Sequence, residues 1–290
     1  MNIFASTSCL KGYGSLPSMV KAMKSAGLNC IELGDAPSVS EEGLVEISLL
    51  KSSINFEVHN YFPRASRPFL LNLASLDPDN LSRSLEFAKN AVGLCRRLGG
   101  TFYGVHAGFC ADVSASSLGG ILEYTKIVDR EKAFNRMVDS LRILCDQALK
   151  AGVTIAVENH LVARCDLIGG KNELVLACEA GELIALIKET SRPNLGILLD
   201  VGHLNVSANT LRLDRMAWVE QAKPFIKAFH VHDNDGMTDL HQPVNESSWI
   251  MKVLRNPVFS EARIVVEAKF GDIASLAEHV AWLRRELLDH

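Results

Sequence analysis

Imidazoles and carboxylates recur in this chain at the ends of short apolar runs, in the segments EVHNY, GVHAGF, VENH, LLDVGH, HVHDNDG with DLH, and VVEAKF. The residues so placed are His59, His106, Glu158, Asp200, His203, His230, His232, Asp239, His241 and Glu267. Imidazole nitrogen and carboxylate oxygen together make a donor set suited to Zn²⁺, Mn²⁺ or Fe²⁺. A single histidine in a strand is usually hydrogen-bonded structure, and a single acidic residue after a strand is usually a helix cap or a solvated group. Those ordinary explanations weaken jointly, because six successive apolar runs all close on metal-ligand residue types. A divalent-metal site is therefore the expected chemistry. In Asp239-Leu240-His241 the i,i+2 spacing lets both side chains reach one ion from an extended loop.

For these groups to meet, the runs carrying them must be strands of one sheet. Alternation supports this: Leu198 and Asp200 share a face, as do His230 and His232, and Val265 and Glu267. Eight β-branched or aromatic runs each precede a segment of helical period. The expected pairs are Asn2–Ser6 with a helix over Ser15–Ala26, Leu28–Gly34 with Glu41–Lys51, Ile54–Tyr61 with Leu81–Leu98, and Thr101–Gly108 with Arg130–Ala151. They continue with Val153–Asn159 and Asn172–Thr190, Asn194–His203 and Leu211–Ala222, Phe225–Asn234 and Trp249–Arg255, and Arg263–Phe270 and Ile273–Leu288. Eight βα units are what closes a parallel sheet into a (β/α)8 TIM barrel, with its site at the C-terminal ends of the strands. A doubly wound sheet would want a GxGxxG turn after the first strand, and Thr7–Gly14 has none.

Composition agrees with a globular α/β chain. The 290 residues are 48% hydrophobic and 22% charged, which excludes disordered and fibrous classes. No linker or low-complexity tract divides them, so one domain over residues 1–290 is expected. No apolar run approaches the ~18 residues of a membrane span, and MNIFASTSCL lacks the pattern of a secretory signal. Seven scattered cysteines without a CxxC pair read as reduced thiols. A cytoplasmic protein is expected. The net charge of -4 is a poor match to duplex DNA, so nucleic acid is not an expected partner.

The strand-end motifs resemble those of the xylose isomerase-like superfamily of TIM barrels, in the family's order and over residues 57–270. The isomerase and epimerase branch is similar through Glu158, Asp200, His230 and Glu267, which the resemblance makes ligands of one Mn²⁺-type ion. It also implies that His203 contacts substrate and that Glu158 and Glu267 exchange a substrate proton. The endonuclease IV-like branch binds three zinc ions. Its pattern finds counterparts in His59, His106, Glu158, Asp200, His203, His230, Asp239, His241 and Glu267, which implies more than one ion. His232 has no ligand counterpart there and is expected to support the site. One departure stands out: His241 leads into QPVNESSW, where both branches usually have a glycine-rich turn.

The resemblance implies a metal-dependent isomerase or epimerase of a small sugar or sugar phosphate, working by proton transfer beside a carbonyl. The alternative is a metal-dependent phosphodiester hydrolase of the endonuclease IV type. Arg64, Arg67 and Lys269 lie just past strand ends, where they are candidates for binding an anionic substrate. Glu32 either orients a ligand or caps the next helix. The long segment Gly108–Asp129 is either a lid or a plain insertion. Assembly into a homo-oligomer is left open by the sequence.

Overall fold

The computed structural model describes residues 2–12, 14–34, 39–65, 67, 69–114, 116 and 122–288. Eight parallel strands close in sequence order into a barrel, the last pairing with the first. They are β1 (Ile3–Ser6), β2 (Cys30–Leu33), β3 (Asn55–His59), β4 (Phe102–His106), β5 (Thr154–Glu158), β6 (Leu195–Asp200), β7 (Ile226–Val231) and β8 (Arg263–Val266). The helices between them are α1 (Leu16–Ser25), α2 (Glu41–Ser48), α3 (Pro78–Arg97), α4 (Arg130–Ala151), α5 (Ala180–Thr190), α6 (Val201–Leu211), α7 (Arg215–Ala222), α8 (Trp249–Leu254) and α9 (Ile273–Leu288). The expected barrel is the observed one.

Alternation sorts the side chains. Ile31, Val58, Tyr103, Val105, Ile155, Val157, Ile197, Leu199, Phe229, Val231, Ile264 and Val266 point outward into the main core against the helices. The opposite faces point to the barrel axis, where Phe102, Ala156, Leu198 and Ala228 form a small separate plug. Above this plug the next inward positions of β5, β6 and β7 turn polar, as Glu158, Asp200 and His230, while β4 has Gly104 before His106. Gly104 is needed at this level: a Cβ there would lie 2.8 Å from Leu198 Cδ2 and 2.9 Å from His59 Cδ2. A register shift between Ile197 and Leu198 sets Asp200 opposite His230 across β6 and β7.

One expected helix and one expected strand are corrected. The helix read over Asn172–Thr190 starts at Ala180. Before it, Asn172 both accepts from the Val175 N–H and donates to the Val175 carbonyl, and Arg130 donates to the same carbonyl. Those side-chain bonds, with the Phe109–Val175 bridge, hold an irregular segment that local helical period does not foresee. The strand read as Asn194–His203 ends at Asp200, and α6 follows at once. The Asp200 carboxylate accepts from the His203 N–H at 2.7 Å, so a site residue is also the helix cap. His203 therefore sits in the first turn of α6, not on a strand.

Within Gly108–Asp129, Asn72 donates to the carbonyls of Phe109 and Ala111, while Val113 bridges to Tyr124. Residues 115 and 117–121 of this segment lie outside the described residues. The seven cysteines are free. Among the described residues, no helix is long and apolar enough to cross a membrane.

Candidate metal centre

Strands β2 to β7, and the residue just past β8, deliver their polar groups to one place. Glu158, at the end of β5, is central. Its Oε2 lies 2.7 Å from His59 Nε2 on β3, 3.5 Å from His106 Nε2 on β4 and 3.7 Å from His230 Nδ1 on β7. Its Oε1 lies 3.2 Å from His203 Nδ1. Glu267, just past β8, places Oε2 3.2 Å from His230 Nδ1, while Oε1 accepts from Ser8 Oγ at 3.2 Å. Asp200 Oδ2 lies 3.1 Å from His232 Nε2, 3.8 Å from His203 Nε2 and 3.9 Å from His230 Nδ1.

The loop after β7 folds back through paired backbone bonds between Asp233 and Gln242. His241 takes the left-handed turn itself, at φ 51°, where the sequence offers no glycine. This brings Asp239 Oδ2 to 2.9 Å from His241 Nε2 and 3.7 Å from His203 Nε2. The nine residues expected as ligands thus converge. Glu32 and His232 join them in support: Glu32 Oε2 is 3.0 Å from His230 Nε2, beneath the centre rather than capping a helix.

Above these groups is a cavity of about 220 Å³, lined by His59, Tyr61, His106, Glu158, His203, Asp239, His241 and Glu267. Its lining contains no lysine or arginine among the described residues. Arg64, Arg67 and Lys269 are exposed and stand outside the lining. Two contributors lay outside the sequence reading. Ser8 holds Glu267, and Asn159 ties β5 to β6 by donating to the Asp200 carbonyl and accepting the Asp200 N–H. The asparagine beside the glutamate in VENH was the available signal.

Burial disfavours charge on these groups, yet neighbouring imidazoles hold the carboxylates of Glu158, Asp200, Asp239 and Glu267 below their ordinary values. Glu158 is held well below the usual carboxylate range by His106, His230 and His59 against the pull of burial. Glu267 and Asp239 are lowered likewise, the first by His230 and the second by His203 and His241. The carboxylates in turn raise His203 and His230 well above the ordinary imidazole value, and His241 to about 9. His106 goes the other way, pushed down to about 4 mainly by burial. Glu158, Asp200, Asp239 and Glu267 thus share their positive partners, which are imidazoles when protonated and would be a bound cation when the imidazoles act as ligands.

A divalent cation fits that role. His230 Nδ1, His232 Nδ1 and Asp239 Oδ1 are buried without a hydrogen-bond partner. Donor atoms of Glu158, Asp200 and His230 lie within 4.8 Å of one another, as do those of His59, His106 and Glu158, and those of His232, Asp239 and His241. His230 shows how the chain prepares a ligand. Its Nε2 faces Glu32, and an N–H donated there leaves the Nδ1 lone pair aimed at Glu158, Asp200 and Glu267.

Comparison with known proteins agrees with this architecture. The family described as xylose isomerase-like TIM barrel matches residues 20–286. A protein named probable endonuclease 4, from Thermoplasma acidophilum, is 27% identical over 187 residues, covering 63% of this chain and 56% of its own. The chain spans little more than half the length of the curated relatives it matches. A D-tagatose 3-epimerase-like protein superposes with a TM-score of 0.73 at 20% identity, covering 100% of this chain and 98% of its own. An L-ribulose 3-epimerase superposes with 0.72 at 16% identity, over 100% and 95%. At such identities the superpositions speak for the fold.

Proposed function

The chain belongs to the xylose isomerase-like TIM barrel family, and we propose that it is a divalent-metal-dependent isomerase or epimerase of a small sugar or sugar phosphate. One observation carries this reading. Glu158 and Glu267, from different strands, both line the cavity and both face His230 Nδ1, at 3.7 and 3.2 Å. A substrate carbon between them meets a carboxylate from either side. One carboxylate removes the proton beside a carbonyl and the other returns it.

Glu158, Asp200, His230 and Glu267 would hold the principal ion. A bound cation supplies a Lewis acid for the substrate's carbonyl and hydroxyl oxygens. Burial keeps bulk water from the two glutamates, and Ser8 and His203 orient them. His203, at the cavity wall, is placed to hydrogen-bond a substrate hydroxyl. The cavity of about 220 Å³ lies below the range of about 300–1,000 Å³ usual for drug-sized ligands, which favours a monosaccharide-sized substrate. Arg64, Arg67 and Lys269 are proposed to meet the anionic end of a phosphorylated substrate outside the cavity.

A second reading keeps a place because of the Thermoplasma relative. In it the same centre, with His59, His106, Asp239 and His241 as further ligands, hydrolyses a phosphodiester. The net charge of -4 argues against a duplex substrate. Isotopes separate the two readings across a panel of ketopentoses, ketohexoses and their phosphates, with an abasic oligonucleotide alongside. The proposed reaction puts deuterium from D₂O beside the carbonyl, even before net product appears. Product carrying ¹⁸O from water, without any such exchange, rejects the proposal in favour of the hydrolase.

A further inference from the structure

A hollow of about 450 Å³ lies between α6, the start of α7 and the loop that follows β7, and it shares no lining residue with the cavity at the mouth. Its walls include Asn205, Asn209, Arg212, Arg215, Asp235 and Gly236. Neither arginine makes an ion pair among the described residues. Arginines elsewhere on the surface do: Arg97 pairs with Glu41, Arg192 with Asp146 and Arg255 with Glu286.

Arg215 is half-buried and fixed in place. It donates to Asn205 Oδ1 and lies over the Trp249 ring, 4.7 Å from its centroid. Asn205 is only 8% exposed, and its own amide group donates to Asn234 Oδ1 at 2.8 Å, so the acceptor that Arg215 uses cannot turn away. A guanidinium carries five N–H donors in a rigid fork, and one amide oxygen answers only part of it. The nearby acids are committed elsewhere. Asp235 Oδ1 accepts from the N–H groups of Met237 and Thr238, at 2.8 and 2.9 Å. Asp214 caps α7 by accepting from the N–H groups of Met216 and Ala217. The two guanidiniums are therefore left to an acceptor from outside the chain.

We propose that Arg212 and Arg215 form a site for a phosphate group, free or carried on a small ester, apart from the mouth and from Arg64, Arg67 and Lys269. A tetrahedral phosphate offers several oxygens to two forks at once, which a single carboxylate does less well. The hollow falls within the range of about 300–1,000 Å³ usual for ligand sites, so it has room for the organic part of an ester beside the asparagines. Asn209 already ties α6 to this loop by donating to the Gly236 carbonyl at 2.8 Å. The same loop carries Asp239 and His241 to the mouth, so a phosphate held here braces that arm from outside. The site stands whether or not the mouth takes a metal.

The test soaks crystals of the full chain in sodium tungstate, a tetrahedral dianion with a strong anomalous signal. The expected map has a peak between the guanidiniums of Arg212 and Arg215. Arg212 has φ 58°, so Arg212→Asn removes its charge with a residue that accepts left-handed backbone. Crystals of Arg212→Asn and Arg215→Gln are expected to lose that peak and to keep any peak at the mouth. In solution, calorimetry compares inorganic phosphate, glucose 6-phosphate and plain glucose. Phosphate affinity at this site should fall roughly fivefold in Arg212→Asn, whose side chain is exposed, and at least about tenfold in Arg215→Gln. Tighter binding of glucose 6-phosphate than of phosphate assigns the site to esters, and the reverse assigns it to the free ion. Tungstate found only at the mouth, a peak that survives both substitutions, or glucose bound as tightly as its phosphate overturns the proposal.

Discussion

Both ends of this barrel bury charge, and they compensate it differently. At the N-terminal end, Glu57 is bonded by Arg263, which also reaches Thr101 and lies over the Phe102 ring. Burial pushes Glu57 up to about 8 while Arg263 pulls against it, so the cation beside this carboxyl is one the chain itself supplies. At the C-terminal end five carboxylates gather around histidines, and the cavity lining offers no arginine or lysine among the described residues. Cavity size would choose the wrong end, since the N-terminal hollow measures about 530 Å³ against about 220 Å³ at the mouth. Chemistry chooses the mouth, where the charged partners of the carboxylates are imidazoles, groups that can give up a proton and serve as metal ligands. An arginine cannot become a ligand, whereas a carboxylate and imidazole cluster can exchange its protons for a metal ion.

The contrast can be broken by experiment, and the largest effect belongs to the mouth. Glu158→Gln and Glu267→Gln keep the size but remove a proton acceptor, so turnover of the responding sugar should fall about 10²–10⁴-fold. A loss below fivefold in both, with metal retained, would separate these residues from the chemistry. Asp200→Ala and His230→Ala should cut metal affinity at least about tenfold, read by competition with a chromophoric chelator. At the other end, Arg263→Met should cost about 1.5–3 kcal/mol of unfolding free energy in urea and leave metal content unchanged. If it lowered metal content as much as Asp200→Ala, the two ends would not be independent. The smallest effect is expected from Arg64→Ala and Arg67→Ala. Their exposure limits each to about 1 kcal/mol, or roughly fivefold, in preference for a phosphorylated over a plain sugar.

Much of this was legible in the sequence because strand period and barrel geometry are local rules. Glu158 and Glu267 each close an alternating run, and a parallel barrel aims all such positions at its mouth. What escaped was set by tertiary partners. His203 reads as a strand end until the Asp200 cap starts α6 beneath it. Residues 172–179 have helical composition, but Asn172 and Arg130 take up the Val175 backbone groups that a helix would use. Ser8 has no spacing to recommend it, since it meets Glu267 only because β1 and β8 close the barrel. His232 and Glu32 sit on the correct faces, but alternation says where a side chain points, not what its second nitrogen or oxygen will meet.

The mouth of the barrel is proposed to be completed by a divalent cation from outside the chain. Elemental analysis of the pure protein before and after EDTA, with melting temperature and isotope exchange measured on the same samples, tests it most directly. At least one tightly held divalent ion per chain is predicted. Its removal should abolish exchange and lower the melting temperature by about 5 °C, the equivalent of about 2.7 kcal/mol of linked stability at a hundredfold excess over Kd. Zn²⁺ or Mn²⁺ should restore both. Protein reproducibly free of metal, with exchange and melting unchanged in EDTA, would contradict the account.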